Sequence, residues 1–348
     1  MTQWGIIDIG TRAVRLMLIS AAQPAERRSE SALTHLGQYL GPEGLSEEGV
    51  ERLISALRSC FERFEGPLAE RYYAVGTAAL RSAQNQPEVL ERIEESLGLS
   101  VTILSGEEEA YLSLIPVFEH FKPLLEAGAP FLLIDQGGGS TELSVGRAQG
   151  TLQLLGGRSL PLGTERLKAS FLREPTSSVA ESWRRVSAEL QEQLCTYEPA
   201  ALFGSSSALI PRAGFAMGSV ITRHTGRPNN RKQHGAVLEL AGLERRLSLL
   251  QRRYQSEGRS VEEWVATHAG STLDHELLSL FGLPLYCALS RAHQLDRLQV
   301  CGYGLRYGVY YYLRASHYSE TLLQSIQLKA TLREALTLPR LSGRAEAE

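Results

Sequence analysis

Phe131–Gly146, FLLIDQGGGSTELSVG, is the stretch that leaves this chain the fewest options. An apolar run (Phe131, Leu132, Leu133, Ile134) ends in Asp135; three glycines, Ser140 and Thr141 follow, and a second alternating run carries Glu142. This pattern predicts a strand, a tight turn and a returning strand. Successive glycines let a backbone approach a bulky anion and turn its N–H groups inward, a concavity suited to phosphate. The hydroxyls and the carboxylates Asp135 and Glu142 add donors for a divalent cation held between protein and phosphate oxygens. An ordinary turn is the default reading of one such run. Trp4–Ser20, WGIIDIGTRAVRLMLIS, repeats the design: Gly5, Ile6 and Ile7 lead to Asp8, then Gly10 and Thr11, then an apolar return from Val14 to Ile19. The repetition favours a duplicated fold, in which the two turns would face each other across a cleft and share one phosphate chain.

Between the hairpins, residues 22–31 read as a polar loop before a third strand near residues 31–36, and Ser46 reads as a helix cap followed by Glu47 and Glu48. Val50, Leu53, Ile54, Leu57, Cys60 and Phe61 then recur at helical spacing. A strand over residues 71–76 delivers Thr77 to Arg81 to its carboxyl end, where open α/β sheets place their crevices. Arg81 is a candidate phosphate clamp there, by its planar fork of donors. A helix (residues 87–97), a strand (100–104) and Ser105-Gly106-Glu107-Glu108-Glu109-Ala110 come next. Acids opening a helix are ordinarily explained by its dipole, and that explanation suffices for Glu107 and Glu108. Residues 120–130 suit a hinge. The second half repeats the plan, with a strand near residues 152–160, a polar helix near 178–196, a short strand at 201–203 with a Gly204–Ala208 turn, and helices over most of 236–313 broken by a strand at 297–301.

The hairpins, together with VGTAALRSAQN (Val75–Asn85), LSGEEEAYLSL (Leu104–Leu114), SLPLGTERL (Ser159–Leu167), QHG (Gln233–Gly235) and GLRYG (Gly304–Gly308), resemble the exopolyphosphatase / guanosine pentaphosphate phosphohydrolase (Ppx/GppA) family. The resemblance runs from about Trp4 to Leu313. It implies an α/β protein of duplicated actin-like ATPase (ribonuclease H-like) domains flanking a cleft, with extra helices in the second. Expected divisions are residues 1–125, 126–313, a C-terminal helix over 314–337 packing back near the first domain, and a loose tail over 338–348. The resemblance also separates Glu109 from its neighbours as the catalytic glutamate, a general base or water-positioner.

The activity so implied is metal-dependent phosphoanhydride hydrolysis, releasing terminal phosphate from inorganic polyphosphate and also from guanosine pentaphosphate. Such chemistry needs phosphoryl group and water held in line and the developing charge neutralised. Gly10, Thr11, Arg81, Gly137, Gly138, Gly139, Ser140 and Thr141 are the expected phosphate contacts. Asp8, Asp135 and Glu142 are the expected ligands of Mg2+, with Mn2+ as the alternative cation. Two other classes stand beside the hydrolase: a non-catalytic sensor binding phosphoanions or (p)ppGpp, and a kinase or ATPase of the same superfold. The carboxylates argue against a pure anion binder. The serines at 205–207, where the family has a Gly-Gly-Thr turn, argue against a nucleoside site. Other departures are Thr11-Arg12-Ala13 for a Ser-Asn-Ser-like run, Gln233 before His234-Gly235, and Tyr307 for an acid. His234 and Arg306 are ambiguous between ligand contact and structural roles.

Charge is nearly balanced, with a formal value of −3 over 348 residues, so any surface attracting a polyanion must be local. Arg212, Arg223, Arg227, Arg231, Lys232, Arg245, Arg246, Arg252, Arg253 and Arg259 crowd one segment, either as a steering stripe or as a solvated helix face. Cys60, Cys195, Cys287 and Cys301 show no disulfide or zinc spacing. With no leader or membrane-length apolar run, a cytoplasmic protein is expected, with no nucleic-acid or membrane partner. Large helical surfaces in the second half make a homodimer the expected assembly.

Overall fold

The computed structural model describes residues 3–20, 27–64, 69–125, 128–199, 211–225, 233–268, 270–314 and 327–332. They fall into two units, residues 1–105 with 324–348, and residues 106–323.

In the first unit, β1 (Gln3–Ile9) and β2 (Ala13–Ser20) form the first hairpin, and β3 (Arg27–Leu33) continues it antiparallel. The third strand thus starts within the predicted loop: its polar alternation, Arg27 to Glu30, belongs to an edge strand. On the other side of β1, β4 (Arg71–Gly76) lies parallel, and β5 (Val101–Ile103) lies parallel to β4. Helix α1 (Glu47–Glu62) is capped by Ser46, whose side chain accepts from Gly49 N at 3.3 Å, with Glu47 and Glu48 in its first turn. Its buried stripe is Val50, Leu53, Ile54, Leu57, Cys60 and Phe61, the predicted set. Short α2 (Ala78–Ser82) and α3 (Gln86–Leu97) complete this part.

The second unit opens with α4 (Gly106–Phe121), then carries β6 (Pro130–Gln136), β7 (Thr141–Gln149) and β8 (Thr151–Leu160) as an antiparallel meander. Later strands are β9 (Ala213–Met217), β10 (Val237–Glu239) and β11 (Arg297–Val300). The sheet order is β8-β7-β6-β9-β11-β10, and β9 is parallel to both β6 and β11. In the first unit the order β3-β2-β1-β4-β5 repeats that pattern of antiparallel and parallel neighbours. The duplication read from the hairpins therefore extends to both sheets. Helices α5 (Thr164–Leu172), α6 (Val179–Cys195, with a Ser178–Glu181 capping box), α7 (Ser219–Arg223), α8 (Leu240–Gln255), α9 (Val261–Ala266), α10 (Gly270–Ala292) and α11 (Leu305–Arg314) belong to this unit.

Two expectations are corrected. The division falls after Ser105 and not near residue 125, because α4 packs on the second sheet and on α11: a Cβ at Gly308 would overlap the backbone of Leu112. In the C-terminal stretch, Ala330–Leu332 is a strand, β12, antiparallel to β4, where a helix was expected; Ser100 N donates to Thr331 Oγ1 at 3.0 Å. Residues 315–326 and 333–337 of that stretch, and the tail, lie outside the described residues. So does the 201–208 strand and turn; the strand that flanks β6 is β9, and its carboxyl-end turn is Gly218-Ser219. Gly218 has φ +116°, where a side chain is strained, and a Cβ there would meet the carbonyl oxygen of Gln136 at 2.5 Å.

His293, 3% exposed and hydrogen-bonded to the Tyr197 hydroxyl, is held down to about 4 by burial. Its folded pKa lies below the ordinary value of 6.5, so the folded state binds fewer protons. The stability it contributes is whole above pH 6.5 and is lost as pH falls toward 4. Urea melts should show about 1–2 kcal/mol lost to this group between pH 7 and pH 5. His293→Gln should flatten that slope; an unchanged slope would refute the assignment.

Candidate active site

Register builds the site of the second unit. Asp135 on β6 and Glu142 on β7 are direct cross-strand partners, and Glu142 pairs in turn with Ser159 on β8. Cross-strand partners share a face, so Asp135, Glu142 and Ser159 lie together on one side of the sheet. The Ser159 hydroxyl donates to Glu142 Oε1 at 2.8 Å. Two residues along β7, on the same face, Ser144 donates to the carbonyl of Ala110 in α4 at 2.9 Å. A Cβ on Gly106 would stand 2.7 Å from Ser159 Cβ. The first turns of α4 are therefore laid directly on this face.

Gly106, Glu109, Ala110 and Ser113 occupy one helical stripe at i, i+3, i+4 and i+7. Glu109 is 9% exposed, whereas Glu107 is exposed and Glu108 half-buried. Glu108 acts on α11, where its charge, after burial, helps raise the Tyr312 hydroxyl pKa. Glu109 alone of the three acids is thus buried on the stripe that meets the Glu142 face.

The glycine turn is aimed by α5. Thr164 N donates to Gly137 O at 3.2 Å, and Glu165 N and Arg166 N donate to Gly138 O at 2.8 and 3.3 Å. The helix has no side-chain cap; the carbonyls of the turn fill that place. Among the described residues no peptide bond is cis, and in a trans peptide the C=O and the next N–H point oppositely. The N–H groups of Gly138 and Gly139 consequently point away from α5, available to an anion. Gly137 N closes the turn on Ser140 O at 2.9 Å.

Thr141 departs from expectation. Alternation puts it on the face opposite Glu142, where its hydroxyl donates to Leu162 O at 2.5 Å. It is fully buried and supports the turn from beneath. Around Asp135, burial pushes Cys301 up to about 12 and raises Tyr286 well above its ordinary value, with the Asp135 charge adding to both.

In the first unit, Asp8 pairs in register with Arg15 where Asp135 pairs with Glu142. Arg15 Nη1 stands 3.4 Å from Asp8 Oδ2, so Asp8, expected as a metal ligand, is paired with a guanidinium. Gly10 N donates to Ala13 O at 3.1 Å, and the buried Thr11 hydroxyl has no hydrogen-bond partner among the described residues. Arg81, the expected clamp, donates through Nη1 to Leu104 O at 2.8 Å, tying α2 to the end of β5. Among the described residues, no group of three or more His, Cys, Asp or Glu is arranged to hold a metal by itself.

His234 accepts from Gly302 N through Nδ1 at 3.4 Å and packs against His120, Phe121 and Tyr303, with its pKa lowered by burial. This is a structural role. The basic segment is largely engaged where described: Arg253 pairs with Glu276, Arg259 with Glu257, and Arg246 donates to the His224 carbonyl. That is a hydrogen-bonded helix surface more than a stripe; Arg227, Arg231 and Lys232 lie outside the described residues. No helix among the described residues is long and apolar enough to cross a membrane. Sequence reasoning did not single out Ser144, Ser159 or Gly163 as site residues, although the last two stand in the SLPLGTERL motif.

An uncharacterized protein of Streptomyces coelicolor is 27% identical over 316 residues, covering 87% of this chain and 88% of its own. Exopolyphosphatase 1 of Mycobacterium tuberculosis is 30% identical over 172 residues, 48% of each chain, so the match spans about half of that relative. Among solved structures, the Aquifex aeolicus Ppx/GppA family member superposes with a TM-score of 0.63 at 24% identity, covering 94% of this chain and 99% of that one. An exopolyphosphatase from Cytophaga hutchinsonii gives 0.63 at 19% identity over 94% and 99%. At these identities the structural likeness establishes the fold, the duplicated actin-like one that both sheet orders display. The Ppx/GppA phosphatase family description matches residues 27–317. With that span covering most of the sequence, both hairpin sheets in place and the acid-bearing α4 laid on the second, this chain belongs to the Ppx/GppA phosphatase family.

Proposed function

We propose that this family member hydrolyses phosphoanhydrides, releasing terminal phosphate from inorganic polyphosphate, with guanosine pentaphosphate as a second substrate. The observation that carries the reading is the meeting of opposite requirements on one face of the second sheet. Amides aimed for an anion, from Gly138 and Gly139, adjoin the register-paired acids Asp135 and Glu142, with buried Glu109 on the helix above. A protein that only bound phosphoanions would be weakened by those acids. A hydrolase needs a group to orient and deprotonate water, and anionic ligands for a cation.

The donor set fits Mg2+. Asp135 and Glu142 offer hard carboxylate oxygens, with Glu142 Oε1 occupied by Ser159, and Mg2+ typically takes one or two carboxylates, waters and substrate phosphates in place of a protein cage. When bound there, the ion neutralises charge on the phosphate chain and on the developing transition state. Glu109 accepts a proton from the attacking water. The Gly138 and Gly139 amides and Ser140 hold the transferred phosphoryl group. The leaving group is a shortened phosphate chain of low basicity, so no strong general acid is needed.

Phosphate release from long-chain polyphosphate in Mg2+, repeated in EDTA and with guanosine pentaphosphate, tests the reading. Metal-dependent release from polyphosphate is the expected result, with restoration on adding excess Mg2+. Binding of either compound without any release would replace the hydrolase with the sensor.

A further inference from the structure

We propose that Ser144 and Ser159 are positioning residues that set Glu109 and Glu142 against each other from one strand pair. This rests on the hydrolase reading for its consequence and on geometry for its mechanism. Ser159 sits opposite Glu142 in the β7–β8 register and donates to its Oε1 at 2.8 Å. One carboxylate oxygen is thereby fixed, which fixes the direction of the other. Ser144 sits opposite Gly157 in the same register. It is fully buried, and its hydroxyl donates to Ala110 O at 2.9 Å.

Ala110 follows Glu109 directly, and in an α-helix a carbonyl held at residue 110 sets the height and rotation of the whole first turn. Two small-residue contacts bring that turn down. Gly106 closes on Ser159, and a Cβ on Gly157 would stand 3.5 Å from Ala110 Cβ. A Cβ at Gly106 would lift α4 away from the hydroxyls, whereas one at Gly157 would rest in ordinary contact with Ala110. The helix bearing the proposed base and the strand bearing the proposed metal ligand are thus tied to one hairpin through hydroxyls two residue positions apart. Hydroxyls suit the task because each donates one short bond and adds no charge to an acidic site.

Displacement of a catalytic group by about 1 Å costs roughly a hundredfold, so Ser144→Ala and Ser159→Ala should each lower kcat by roughly ten- to a hundredfold, with KM within about threefold. Coupling distinguishes positioning from general weakening. The Ser144→Ala loss should vanish in a Glu109→Gln background, and the Ser159→Ala loss in a Glu142→Gln background, because each serine acts only through its acid. A loss that persists undiminished in those backgrounds overturns the proposal.

A readout independent of turnover completes the test. Hydrogen exchange of the Glu109–Ser113 amides should quicken by about tenfold in Ser144→Ala while α6 exchange is unchanged. Unchanged exchange in the first turn of α4 overturns the role of Ser144, whether or not the protein hydrolyses anything. If the native protein releases no phosphate but exchange quickens as stated, the hydrolase reading fails and the positioning of α4 stands.

Discussion

Glu109→Gln is expected to lower phosphate release from polyphosphate by about three orders of magnitude while leaving KM within a few-fold, within the range a positioned general base supplies. Glutamine keeps the volume and the hydrogen-bonding reach of the side chain, so the buried stripe of α4 should pack as before. What it removes is the proton acceptor and one negative charge. Glu107 and Glu108 provide internal comparisons from the same run of acids. Glu107 is exposed, and Glu108 lies where its charge acts on Tyr312 of α11. Glu107→Gln should therefore leave kcat unchanged within about twofold, as for surface substitutions generally. Initial rates of phosphate release for the variants, with melting temperatures to show that each is folded, decide the matter. Equal losses in Glu107→Gln and Glu109→Gln would mean that the run matters as a charge cluster and not as a placed base.

The separation of those three acids shows which parts of the site were legible in the sequence. Local patterns read well: the apolar strand, carboxylate and glycine of each hairpin lie within a few residues of one another, and the Ser46 cap and α1 stripe need no tertiary knowledge. Cross-strand register was not legible, and register decides the chemistry. It places Arg15 opposite Asp8 but Glu142 opposite Asp135, so of two turns of similar sequence one pairs an acid with a base and the other pairs two acids. The same alternation sends Thr141 beneath the sheet, although it is adjacent to Glu142. Arg81 matched a plausible clamp, yet its Nη1 donates to the Leu104 carbonyl at the end of β5. The affiliation of α4 escaped for a similar reason. It depends on Gly106 meeting Ser159 and Gly308 meeting Leu112, contacts between residues far apart in the chain that no window of sequence reveals. The polar first half of β3, residues 27–30, reads as loop because edge strands need only one buried neighbour and tolerate the composition of a turn.

Gly163→Ala is expected to destabilise the second unit by about 3 kcal/mol, at the upper end of ordinary overpacking. Nothing about backbone angle requires glycine here, since φ is −118°. The requirement is space: a Cβ would overlap the Gly138 carbonyl and the carbonyl carbon of Gly139. Those atoms are backbone, and they cannot rotate aside as a side chain would. Relief has to come from separating the turn from α5, which breaks the bonds from Thr164 N to Gly137 O and from Glu165 N to Gly138 O. Once these are lost, α5 no longer fixes the peptide planes that aim the Gly138 and Gly139 amides outward. The variant should therefore lose phosphate affinity together with stability, with KM for polyphosphate raised at least tenfold and the melting temperature lowered by roughly 6–12 °C for a unit of this size. Gly150→Ala is the comparison, because a Cβ there meets nothing within 4 Å, although its φ of +75° carries a modest backbone cost. Calorimetric melts and polyphosphate KM for both variants separate local strain from loss of the anion turn. If Gly163→Ala melts low but keeps its KM, the helix holds the turn for stability alone, and the phosphate would have to be gripped by other donors.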